Sequence, residues 1–168
     1  MIGAFVRDLR QPEYIHVLLN PLPVYGLLVS WVGLVIGLAL RSRRAQIATL
    51  TLVLLSSISA WPVYEFGEQG YDRVLSMTDE AGESWLDEHM HRAEKLIWVF
   101  YALAALSALA IAAPIKWPKS SMPLAVAVIL LSAVTLGSGA YIAYAGGRVR
   151  HREFRGETPP PKRSEHEH

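Results

Sequence analysis

The 168-residue sequence contains no cysteine. That absence removes disulfides, thiolate nucleophiles, iron–sulfur clusters and the covalent attachment of c-type haem. Charge is sparse too. Only 18% of residues are charged, against about 25% in an ordinary soluble domain. The charges fall in clusters, and long runs between them have none. With a formal net charge of +1 and no basic strip alternating with aromatics, nucleic-acid binding has no basis. No activated nucleophile, phosphate loop or hydride-cofactor fingerprint is present. The apolar runs lack the interior acids and bases that mark ion and proton pathways, which argues against a transporter or channel.

What is present is apolar. Hydrophobic residues make up 52% of the chain, and the mean hydropathy is +0.25. Four segments carry most of it: "PLPVYGLLVSWVGLVIGLAL" from Pro21, "AQIATLTLVLLSSISAWPVYEF" from Ala45, "LIWVFYALAALSALAIAAP" from Leu96 and "MPLAVAVILLSAVTLGSGAYIAYAGG" from Met122. A bilayer core takes roughly 17–25 apolar residues as helix. Each backbone polar group must be satisfied within its own span, so helix is the expected form. The fold class is therefore all-α, a four-span membrane bundle over residues 1–147, followed by a charged, proline-rich tail at 148–168 that should be disordered. The first run is too long for a cleaved signal peptide and is followed by "RSRR" rather than a cleavage site.

Asn20 and Pro21 read as the cap and first position of the first long helix, with "RQPEYIHVLL" forming a short interfacial helix ahead of it. Two connections are short and basic, holding Arg41, Arg43, Arg44, Lys116 and Lys119. The positive-inside rule puts them in the cytoplasm. Both termini and the long acidic connection from Gly67 to Asp87 then face the periplasm of a bacterial cytoplasmic (inner) membrane. The basic start of the tail, Arg148 to Arg155, argues for the opposite orientation.

Small residues suggest how the spans pack. Gly33-x-x-x-Gly37 permits close backbone approach, as does Ala133-x-x-x-Gly137. Packing within one bundle is the expected use; a homodimer through Gly33 and Gly37, or docking to other membrane-complex subunits, is the alternative. Ser56, Ser57 and Ser59 should bond carbonyls one turn back. Trp61, Tyr64, Trp85, Tyr141 and Tyr144 should lie at the outer interface and Trp117 at the inner one. Pro62 should bend the second span.

The candidate chemistry lies in "SWLDEHMHRAEK", Ser84 to Lys95. Ser84 and Asp87 read as a helix start, with Glu88 and Arg92 as a solvent-facing pair. On a helix, Asp87, His91, Glu94 and Trp98 share a face. Glu88-x-x-His91 has the spacing of carboxylate-bridged metal sites in bundles, so Glu88, His91 and Glu94 form a candidate metal set, with Glu65 and Glu68 as the available partners. His91, His16 and His151 should all lie at one membrane face, where two of them could hold haem b or contact a quinone. His89 should point elsewhere, into solvent. Plain interfacial histidines explain the same residues. His166 and His168 could bind a metal weakly or be solvated tail.

The sequence resembles the uncharacterised bacterial four-helix membrane proteins grouped as domain of unknown function 2231. Their first long helix opens His-Pro-x-x-Val-His. Here "NPLPVY" matches at Pro21 and Val24, while Asn20 and Tyr25 replace the two histidines. Gly67 after the second helix, His91 opening the third and "GSGAYIAYAGG" ending the fourth complete the likeness, from about Tyr14 to Gly147. The resemblance implies a haem or electron-transfer association, altered here by the loss of both first-helix histidines.

Three functions follow from these readings: a structural or accessory subunit of a membrane complex, a haem b- or quinone-binding redox component, and, least supported, a membrane enzyme around Glu88, His91 and Glu94.

Overall fold

The computed structural model describes residues 7 and 9–161, and among these there is no strand. Four helical spans, Pro12–Ala39, Arg43–Gln69, Glu80–Lys116 and Pro118–Arg150, are each long and apolar enough to cross a membrane. His166 and His168 fall outside the described residues.

The first span is α1 (Pro12–Leu19), a π-turn (Leu22–Gly26) and α2 (Leu27–Ala39). Asn20 does not open it. The helix starts at Pro12 after the extended Gln11, and Asn20 closes α1, its N–H bonded to the carbonyl of His16. Pro21 and Pro23 supply no N–H, so the hydrogen-bond register widens into a π-turn instead of breaking. His16 is thereby part of a span rather than of a separate leader.

The second span is α3 (Arg43–Ile58) and α4 (Ala60–Gln69). Pro62 cannot bond the Ile58 carbonyl, and α3 stops at Ile58. Ser57 and Ser59 bond the carbonyls of Val53 and Ser56 at 2.8 and 2.7 Å. Gly33 and Gly37 pack inside this chain: a β-carbon on Gly33 would meet Thr49, and one on Gly37 would meet Ala45. The tight basic turn before α3 places Arg41 at φ 50°.

A short helix, α5 (Tyr71–Leu75), leads to α6 (Glu80–Lys116). The start of α6 lies about a turn before Ser84. Asp79 caps it by accepting from the Gly82 N–H at 3.0 Å, and Ser84 is buried within the helix. A 3-10 turn (Pro118–Ser120) then enters α7 (Ser121–Arg150). The helix passes through Gly147 without interruption. Beyond it, Arg155 folds back, donating to both Asp79 carboxylate oxygens at 2.7 and 2.9 Å and to the Arg148 carbonyl at 2.7 Å. This ion pair joins residue 155 to the start of α6.

Three apolar clusters organise the bundle, one of them Ala60, Ile97 and Phe100 beside the histidine end. Leu27, Leu34, Leu50, Val53, Leu103 and Val128 fill its middle. Trp85 and Leu86 pack with Ala145 and Val149 at the end that carries α5. Trp85 is thus core, 3% exposed, and not an interfacial ring. At the opposite end Arg43 donates to the Ser121 hydroxyl at 2.9 Å, joining the two basic turns.

Candidate functional site

The inward face of α6 is set by Leu86, Ile97, Phe100, Leu103, Ser107 and Ala110, all buried. That 3–4 residue rhythm, carried back from Ile97, passes through Ala93 to Met90 and His89. His89 therefore looks into the bundle. Its Nδ1 lies 3.0 Å from the carbonyl of Ile142 on α7. The expectation that His89 is solvated fails for this geometric reason.

His16 does the same thing from the first span. Its Nδ1 lies 2.7 Å from the carbonyl of Val63 on α4. A carbonyl can only accept, so in both rings Nδ1 carries the hydrogen and donates it. In the neutral ring Nε2 then keeps its lone pair. The two rings lie edge to face, 6.2 Å apart between centroids, with planes at 87°.

The seats of the two rings are alike. Val63 lies four residues before Gly67, and Ile142 four before Gly146. In a helix the carbonyl of residue i points toward residue i+4. A side chain there crowds the carbonyl's second lone pair; a glycine leaves it open. A β-carbon on Gly67 would come 2.8 Å from His16 Nδ1, and one on Gly146 would come 2.9 Å from His89 Nδ1. Each helical hairpin thus carries one histidine seated on a carbonyl and glycine of its own partner helix. The sequence shows no repeat of useful strength, yet the structure repeats this device.

Two cavities meet at the histidine pair. The inner one, about 60 Å³, is mostly apolar, with walls from all four spans, including Val24, Val63, Phe100 and Ile142. The outer one, about 610 Å³, opens toward α5 and the start of the tail. His16, Asn20, Gly67, His89, Met90 and Ala143 line both. His151 lies at the outer cavity and bonds Glu153 at 2.9 Å. Of the three histidines expected at one face, His16 and His151 reach this cavity; His89 takes the position assigned to His91.

The face of α6 chosen from sequence points outward at Glu94 and Trp98 and is half-buried at Asp87 and His91. Trp98 is 69% exposed and Glu94 is exposed. Asp87 is held by the Tyr71 hydroxyl. Burial and that hydrogen bond raise the Tyr71 phenol well above the ordinary tyrosine range. Glu88 pairs with Arg92 at 2.8 Å. The pair is largely buried, because the guanidinium lies 3.8 Å from the Tyr141 ring centre and bonds the Tyr141 carbonyl at 2.8 Å. Glu65 and Glu68 are exposed. Among the described residues no three histidine, aspartate or glutamate side chains converge to hold a metal ion. Glu88, His91 and Glu94 therefore do not assemble into the expected metal set.

No family model, curated protein or solved structure matches the chain.

Proposed function

We propose that this chain is a four-span protein of a bacterial cytoplasmic membrane that works as a ligand-carrying accessory subunit, holding a small molecule between His16 and His89. Membrane residence is supported by the four apolar helices and by an apolar exterior that includes Val29, Ile36, Leu52, Leu55, Leu130 and Val134. In water so much exposed apolar surface would drive aggregation. The five basic residues of the two tight turns favour placing that end in the cytoplasm and the histidine end outside.

The edge-to-face histidine pair carries the ligand reading. A purely structural bundle gains little from two half-buried imidazoles, each needing a glycine-opened carbonyl, at the junction of two cavities. An apolar cavity with a few convergent polar groups is the general form of a small-molecule site.

The test is to purify the protein gently from membranes, beside His16→Ala and His89→Ala, and identify bound small molecules by native mass spectrometry. A molecule present in the wild type and absent from both variants supports the reading. Identical spectra for all three proteins would overturn it. Accessibility labelling of single cysteines at Arg44 and Ser76 tests the orientation: the proposal requires Ser76 to be labelled from outside and Arg44 not.

A further inference from the structure

We infer that the small molecule is a b-type haem, its iron taken axially by Nε2 of His16 and Nε2 of His89. The inference rests on the ligand-carrying reading above and names the ligand's chemical class.

The ring separation comes first. A metal–nitrogen bond of about 2.0–2.1 Å, with about 1 Å more from each nitrogen to its ring centre, puts two imidazoles on opposite sides of one ion about 6 Å apart, centre to centre. The observed separation is 6.2 Å. The donor set then selects the kind of metal. No third protein ligand joins the pair among the described residues, whereas a bare zinc site uses three or four. Iron held by the four nitrogens of a macrocycle needs only axial ligands, and histidine is a usual one.

The second layer around the site agrees. Metal-ligating histidines donate their other N–H to a carbonyl or carboxylate, which fixes the tautomer and ring angle. Val63 and Ile142 supply those carbonyls. The space also suits a flat amphipathic group. The outer cavity, about 610 Å³, lies within the roughly 300–1,000 Å³ of ligand pockets. Its wall at Gly147 is open, with nothing within 4 Å of a β-carbon there. Gln11 and Arg150 line the same cavity and can meet carboxylates, while the inner cavity offers apolar surface to the opposite edge. Bound there, haem would supply one-electron transfer.

A quinol fits less well. Nε2 acceptors could receive its hydroxyl hydrogens, but two hydrogen bonds of about 2.8 Å flanking a ring with para hydroxyls need roughly 11 Å between the nitrogens. Rings 6.2 Å apart leave no such gap.

The experiment titrates the full-length protein, purified in detergent, with haemin. The expected result is saturation at one haem per chain, a low-spin spectrum with sharp bands after dithionite, and a strongly anisotropic low-spin paramagnetic signal from the perpendicular ring planes. His16→Ala and His89→Ala should each lose the low-spin form, and His91→Ala should keep it. His89→Met should retain six-coordination with a changed reduction potential, which a merely structural histidine would not do. Gel filtration confirms that each variant folds. Haemin that partitions without saturating, or gives one spectrum with wild type, His16→Ala and His89→Ala, overturns the haem assignment. If it fails while native mass spectrometry still finds a molecule lost from both alanine variants, the pocket stands and only the ligand class is wrong. If neither haem nor any other molecule depends on the two histidines, both fall.

Discussion

His16 and Gly67 are in contact through the space a side chain would occupy: a β-carbon on Gly67 would lie 2.8 Å from the imidazole Nδ1. The same relationship holds between His89 and Gly146 at 2.9 Å. Neither ring can stay on its carbonyl if its glycine gains even one methyl group.

Gly67→Ala and Gly146→Ala should therefore each cost about 1–3 kcal/mol, the usual penalty for overpacking, and should weaken ligand retention together with stability. Gly137→Ala is the control, because nothing lies within 4 Å of its β-carbon position. Thermal unfolding in detergent, followed for all three, checks the contrast. Equal midpoints for Gly137→Ala and Gly67→Ala would contradict the packing described.

His91 gives a second prediction. It lines neither cavity, so His91→Ala should leave any ligand bound, whereas His89→Ala should release the ligand. Side-by-side quantification of bound ligand per chain decides between the two histidines.

The clasp between Asp79 and Arg155 predicts a pH dependence. The Arg155 hydrogen bonds hold the Asp79 carboxyl below the usual aspartate range, helped by the Gly82 N–H and the charges of Arg155 and Arg152. A depressed folded-state pKa contributes stability above the unfolded value of about 3.9 and loses it as pH falls through the folded one. Cleavage by an acid-active protease in the 151–161 segment should rise over that acid window in the wild type. Asp79→Asn should be cut fast already at the upper end of that window, where the wild type is still protected. An unchanged cleavage rate in the variant would mean the clasp does not hold the tail.

Tyr71 and Asp87 should behave in the opposite sense. Burial first, and then the bond to Asp87, hold the phenol protonated. This raised pKa contributes stability that is present below pH about 10 and lost as pH rises through the folded value. A spectrophotometric titration should show one tyrosine ionising well after the others, and Tyr71→Phe should remove that late step. A wild-type titration without a late step would show that the bond is not maintained in solution.

The spans were legible in the sequence because their signal is composition and length, which fold-level packing does not alter. Which face of α6 looks inward was not. In a soluble helix Trp98 would mark the buried side, and Asp87, His91 and Glu94 were aligned to it. In a bundle whose exterior is apolar an aromatic ring can point outward, and Trp98 does. The usable signal was the run of Phe100, Ile97 and Ala93 read backward, which reaches His89. The helix starts misled for a related reason. Ser84 and Asn20 have the chemistry of caps, but Asp79 and Gln11 hold those positions, because the helices extend beyond their apolar stretches. The pairing of His16 with His89 was beyond the sequence altogether. It depends on two carbonyls freed by Gly67 and Gly146, and no local pattern announces a hydrogen bond 47 or 53 residues away.

The division of the two seats between the two helical hairpins bears on how the protein is made. The first hairpin holds His16, Val63 and Gly67; the second holds His89, Ile142 and Gly146. On the proposed membrane reading, the first hairpin would insert during synthesis with one imidazole already oriented and nothing opposite it. The site comes into being only when residue 146 has emerged from the ribosome and the second hairpin has docked. Occupancy would then report completed insertion, and two separately expressed halves, cut between residues 69 and 80, should regain the site only on meeting.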